Sequence, residues 1–235
     1  MIQVRGLTKA FGPKKVLRGI DLDVGQGEFL TLVGPNGAGK TTFLRILSTL
    51  SRATGGQALV GGVSLDDHPA DARRKIGLVS HRTLLYDDLT AVENLQFYGW
   101  MYDVASLDAR IDEVLRQVDL YFRRHDPVRT YSRGMQQRLS IARAILHDPQ
   151  VMLMDEPYTG LDVQATAMLR GILQTLAASG RTVVMTTHDL ELGLEVADRV
   201  AILSGGKIGF QSPAADLDIQ QFRRVYAEQV AGSAR

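Results

Sequence analysis

Eight consecutive residues, Gly34-Pro35-Asn36-Gly37-Ala38-Gly39-Lys40-Thr41, fit the spacing G-x-x-x-x-G-K-[ST]. Glycines let successive backbone N–H groups turn toward one anion, a lysine adds a point charge, and a threonine hydroxyl is a hard ligand for Mg²⁺. The apolar run Phe29–Val33 precedes the loop and the helix-compatible stretch Thr42–Leu50 follows it, so the amides would open a helix N-terminus. Such a loop binds the phosphates of a nucleotide, and its alternative is a glycine-rich turn that binds nothing.

A second apolar run, Val151–Met154, ends in the adjacent carboxylates Asp155 and Glu156. Open parallel sheets collect ligands at the carboxyl ends of their strands, which would set Asp155 beside the phosphate loop. Neighbouring residues point in different directions, so Asp155 can hold the Mg²⁺ shell while Glu156 orients or deprotonates an attacking water. The plain alternative, a solvated strand exit at Asp155-Glu156-Pro157, loses ground because the phosphate loop is present.

These side chains need a scaffold. With 235 residues and 45% apolar content, the chain is long enough for one full core and cramped for two. Compact apolar runs at Phe29–Val33, Ile76–Val79, Val151–Met154, Val183–Met185 and Val200–Leu203 read as buried parallel strands. The glycine-punctuated segments Ile2–Lys9, Val16–Val24 and Gln57–Leu65 read as an antiparallel β-subdomain. Between Leu84 and Leu146 the period is helical, with Ala91, Leu95, Tyr98 and Tyr102 on one face and Ile111, Val114, Leu115 and Val118 on another. Ile219, Phe222, Val225, Tyr226 and Val230 then give a docked amphipathic helix. The expected class is α/β: a single domain over 1–235, with β and phosphate-loop core to about 83, helical subdomain to about 148, core again to about 212, and a C-terminal helix beyond.

Composition removes several functions. A net charge of +1 gives no bulk field for nucleic acid, and no nucleic-acid partner is expected. The absence of cysteine excludes disulfide frameworks, thiolate nucleophiles and cysteine-ligated zinc, and suits the cytosol. No stretch approaches the roughly 20 apolar residues of a spanning helix, and the N-terminus lacks a signal-peptide pattern, so neither membrane crossing nor export is expected.

Tyr131-Ser132-Arg133-Gly134-Met135-Gln136-Gln137 ahead of Asp155-Glu156-Pro157, then Thr159-Gly160-Leu161-Asp162 and Thr187-His188-Asp189, resembles the ATP-binding-cassette ATPase family in motif content and order. The resemblance runs from Phe11 to the last strands and implies a P-loop NTPase fold, ATP and Mg²⁺ as ligands, hydrolysis of ATP, and a cytoplasmic-face address beside membrane permease subunits. It also implies a second cassette, a second copy being the simplest, because Ser132, Arg133, Gly134 and Met135 stand at the signature motif that touches ATP held by the other cassette. A helix N-cap role for Ser132 is the alternative. Phe11 stands where the family stacks an aromatic on adenine, its alternative being a buried residue beside Gly12-Pro13. Thr42 completes the nucleotide-binding run. Asp162 falls in the loop that connects the two sites, or caps the helix starting near Val163. His188 matches the switch histidine at the γ-phosphate, joining Glu156 and Lys40 in catalysis.

The sequence departs from the family at the signature, where Tyr131, Arg133 and Met135 replace the usual leucine, first glycine and glutamine. It departs again at His81, where a glutamine ordinarily couples metal site and membrane subunit. An imidazole changes charge near neutral pH, so coupling there is expected to be pH-sensitive. His81 together with Leu89-Thr90-Ala91-Val92-Glu93-Asn94-Leu95 resembles the haem-exporter ATPase of cytochrome c maturation. Gly134-Met135 resembles drug, antibiotic or polysaccharide exporters of the second bacterial class. A non-transport cassette and a P-loop GTPase or kinase are the remaining rivals, the first lacking its tandem cassettes or coiled-coil insertion here, the second leaving Ser132, Asp162 and His188 unexplained.

Overall fold

The protein is seen in a computed structural model that describes residues 1–161 and 163–233; Asp162, assigned above to the connecting loop, lies outside the described residues. Alternation of apolar and polar residues produces the first sheet. In β1 (Ile2–Phe11), Ile2 and Val4 face inward while Gln3 and Arg5 face water, and β2 (Lys14–Val24) sets Val24 and Leu22 opposite them. Phe29–Val33 forms β3; β4 (Gly55–Val60) and β5 (Val63–Ser64) complete an antiparallel sheet in the order β2-β1-β4-β5.

Unbroken apolar runs produce the second sheet, because strands covered on both faces have no wet side to present. Every residue of β3 is buried, and the same holds for β7 (Val151–Asp155) and β8 (Thr182–Thr187). With β6 (Ile76–Val79), β9 (Arg199–Ser204) and β10 (Lys207–Pro213) the order is β10-β9-β3-β8-β7-β6, parallel except for β10. β10 is a strand that the apolar runs did not announce. It is an edge strand whose Ile208 and Phe210 are only partly covered, so its pattern is diluted. Register matters most for function: Val33 lies opposite Thr187, and Asp155 opposite Thr186, so β3, β7 and β8 release their chains at one edge.

α1 (Lys40–Leu47) buries Phe43, Leu44, Ile46 and Leu47 between the two sheets. It starts two residues before the sequence periodicity suggests, because Gly39 at φ 111° turns the chain straight into the helix. After the short α2 (Pro69–Arg74), the helical region contains α3 (Ala91–Met101), α4 (Leu107–Gln117) and α5 (Arg133–Ile145). The Thr90–Glu93 capping box opens α3. Leu95, Ile111, Val114, Leu115 and Ile141 form a second core that continues into Val79, Met152 and Met154 under the sheet. α6 (Val163–Ala178), α7 (Leu190–Val196) and α8 (Ile219–Ser233) follow. Of the apolar stripe on α8 only Phe222 is fully buried, against Val33, Val200 and Ile202.

Candidate functional site

The loop from β3 to α1 has backbone that only glycine fits at one decisive point. At Gly39 a Cβ would lie 2.7 Å from Leu17 Cδ2, and its φ of 111° is forbidding to other residues. Lys40 is thereby delivered to the interior at 6% exposure. Its ammonium donates to Gly34 O at 2.6 Å and Pro35 O at 3.4 Å and lies 3.5 Å from Glu156 Oε1. Ala38 is buried on the back of the loop.

Asp155 is a buried carboxylate whose Oδ1 accepts from Thr41 Oγ1 at 3.1 Å and from Thr186 Oγ1 at 2.7 Å. Burial of such a group is tolerable only with donors of this kind. Glu156 then leaves the strand in a left-handed conformation, φ 51°, its N–H held by Thr186 O at 3.1 Å and Thr186 Oγ1 at 3.2 Å. Strain of roughly 1–3 kcal/mol attends a non-glycine residue there. That turn sends the two carboxylates apart: Glu156 Oε2 lies 2.6 Å from His188 Nδ1, while Oε1 faces Lys40. His188 follows β8 directly, and Asp189 caps α7 by accepting from Leu192 N at 3.1 Å.

A cleft of about 680 Å³ joins these parts, with Pro35, Asn36, Gly37, Gly39, Lys40, Thr41, Thr42, His81, Asp155, Glu156 and His188 on its wall. Four further residues on that wall escaped the sequence reading: Lys14, Val16, Thr159 and Tyr226. Thr186 escaped it as well, because its place beside Asp155 comes from the pairing of β7 with β8. Phe11 is not on the wall. It sits on the β1–β2 hairpin opposite Lys14, 56% exposed, with Lys9 Nζ 4.8 Å above its ring, so the buried alternative is excluded.

The signature residues stand elsewhere. Ser132 is the N-cap of α5, accepting from Met135 N at 3.3 Å. Ser132, Gly134 and Met135 do not reach the 680 Å³ cleft. Arg133 packs its guanidinium on Gly160, where an added Cβ would meet Cζ at 2.7 Å, and lines a neighbouring cleft with His81, Glu156 and Thr159. Tyr131 is buried and donates its hydroxyl to Arg123 O at 2.7 Å; burial raises its pKa. The leucine position of the signature is thus filled by a packed, satisfied phenol.

A nucleotide-sized cleft on a phosphate loop, with two carboxylates and a histidine converging at the ends of adjacent parallel strands, defines a P-loop NTPase. The sequence pattern of the ABC transporter family matches residues 17–159, and the chain belongs to that family as an ATP-hydrolysing subunit. It is 38% identical over 210 residues to the linearmycin resistance ATP-binding protein LnrL of Bacillus subtilis, covering 88% of this chain and 68% of that one. It is 37% identical over 226 residues to a fluoroquinolones export ATP-binding protein of Mycobacterium tuberculosis, covering 95% and 74%. Among solved structures, a dimeric ATP-binding cassette in a post-hydrolysis state bound to ADP and Pi superposes with a TM-score of 0.83 at 28% identity, over 91% of this chain and 99% of that one.

Proposed function

We propose that the chain is the ATPase of an exporter, that two copies enclose two ATP molecules, and that their closure drives membrane permease subunits. The observation that carries the reading is the meeting of Lys40, Thr41, Asp155, Glu156 and His188 in one cleft. Lys40 takes the β- and γ-phosphates in place of the loop carbonyls, and the amides of Gly37, Gly39 and Lys40 line the anion. The oxygen donors of Thr41 and Asp155, 3.1 Å apart, fit Mg²⁺ and would hold it. When bound, that ion would neutralise charge on the phosphates.

Glu156 orients a water for in-line attack and accepts its proton as the bond to the γ-phosphorus forms and the bond to the ADP oxygen breaks. His188, donating to Glu156, holds that carboxylate in place and then meets the charge gathering on the transferred group. Phe11 offers an exposed ring for adenine, a contact worth roughly 1–3 kcal/mol. Ser132 and Gly134 serve the partner's nucleotide, which agrees with their distance from this chain's own cleft and with the dimeric state of the structural neighbour.

The cargo reading follows the relatives, whose names speak of linearmycin resistance and fluoroquinolone export. They support a drug- or antibiotic-type exporter and lend no support to haem export or cytochrome c biogenesis. The membrane subunit would dock beside α3, where Trp100 and Met101 are 69% and 63% exposed while Phe97 and Tyr98 are engaged with one another edge to face. Among the described residues no helix is long and apolar enough to cross a membrane. The deciding experiment is Glu156→Gln: ATP binding is retained, dimers accumulate with ATP, and turnover falls roughly 100-fold or more. Near-normal turnover would overturn the assignment of the base.

A further inference from the structure

The nucleotide cleft carries one wall residue from far outside the nucleotide motifs: Tyr226, on the C-terminal helix. It stands there with Lys14 and Val16 at the start of β2 and with Asn36 and Gly37 of the phosphate loop. Its place is fixed from two sides. Phe222, one turn earlier on the same face, is fully buried against Val33, the residue from which the phosphate loop departs. Arg223 Nη2 meets Glu191 Oε1 at 2.5 Å, tying α8 to the helix that follows His188. α8 is therefore pinned between the stem of the phosphate loop and the segment carrying the histidine, and Tyr226 projects from it to the cleft.

We infer that Tyr226 is a nucleotide-positioning residue, its ring bounding the bound nucleoside triphosphate and its hydroxyl donating to one of that ligand's oxygens. Among the described residues the hydroxyl has no hydrogen-bond partner, and half-burial leaves it able to acquire one. Burial also raises the phenol's pKa above its ordinary value, so at neutral pH it keeps the proton that it would donate. A role in packing alone would use only the ring, which contacts the Phe222 cluster, and would be indifferent to removal of the hydroxyl. The inference rests on the ATPase reading above, and it extends the site to an element that the phosphate-loop, carboxylate and histidine motifs do not include.

The test measures binding of a fluorescent ATP analogue and of ADP, alongside steady-state hydrolysis, in the full chain with Tyr226→Phe and Tyr226→Ala. Tyr226→Phe keeps the ring and its packing, so fold is preserved while the donor is lost. Removal of a hydrogen bond to a charged ligand should weaken ATP binding roughly 10-fold in Tyr226→Phe and further in Tyr226→Ala. KM should rise with kcat nearly unchanged, because the residue binds and does not react. Phe122→Ala, at a ring 91% exposed to water, is the surface control and should match wild type. Binding by Tyr226→Phe within two-fold of wild type, with intact hydrolysis by wild type, overturns the inference and leaves the ATPase reading standing. Failure of wild type to bind ATP, or undiminished binding in Lys40→Ala, overturns both.

Discussion

At the residue scale, the site works because one threonine serves two carboxylate-bearing residues at once. Thr186 donates to Asp155 Oδ1 and accepts from the backbone N–H of Glu156, so the same buried hydroxyl holds the Asp155 carboxylate and the turn that sends Glu156 toward His188. Thr186→Val keeps the shape and removes the hydroxyl. Loss of a hydrogen bond to a buried charge should cost about 1.5–3 kcal/mol, read as a lower urea midpoint, and should depress kcat more than it changes ATP affinity. At His81 the imidazole lies on the wall of the nucleotide cleft and of its neighbour. Lys40, Thr41, Asp155 and Glu156 were legible from residue type and spacing, and His188 through the family resemblance. Thr186 was not, since a threonine at a strand end has no signature until the register sets it across from Asp155.

At the element scale, α8 links the C-terminus of the chain to the phosphate loop. Phe222 is its anchor, and Phe222→Ala should destabilise the protein by about 3 kcal/mol through lost burial and the cavity left against Val33, Val200 and Ile202. Hydrogen exchange should show the loss first in α8, whose other apolar residues are only partly covered, and the calorimetric midpoint should fall with it. Periodicity carried this helix from Ile219 to Val230, short of its end at Ser233, yet could not say that its second turn ends at the cleft. β10 was harder still, because an edge strand covered on part of one face carries a weak alternation. The strands of the parallel core were read within one or two residues, since burial on both faces writes itself as an uninterrupted apolar run.

At the scale of the whole molecule, acid stability is set partly by a histidine far from the cleft. His147 lies on the wall of a larger cavity of about 1040 Å³ that shares no residue with the nucleotide cleft. Its Nε2 faces Ile76 O at 3.1 Å, its Nδ1 is buried with no partner among the described residues, and its ring stacks on Tyr102 at 3.9 Å. Burial pushes its pKa down from 6.5 to about 4. Between those values the unfolded chain binds a proton that the folded chain refuses, so stability falls as pH drops through that window, by at most about 1.4 kcal/mol per unit. Urea midpoints at pH 7.5 and 5 should show this loss, and His147→Gln should remove most of the part due to the imidazole. The proposed dimer is also tested at this scale: for Glu156→Gln, gel filtration with and without ATP should move the chain from monomer to dimer only when ATP is present.

What the sequence by itself determined is the chemistry: a phosphate loop, a carboxylate pair after an apolar strand, a histidine after another, and a family whose motif order they share. Those signals are local, because each rests on residue types a few positions apart and on the strand or helix that must flank them. What only the tertiary structure decided is which distant residues complete the site. Thr186 reaches Asp155 through the register of β7 and β8, Arg133 reaches Gly160 through the placement of α5, and Tyr226 reaches the cleft through the packing of Phe222. Each of these contacts depends on a pairing across the chain, and no short window of sequence contains both of its partners.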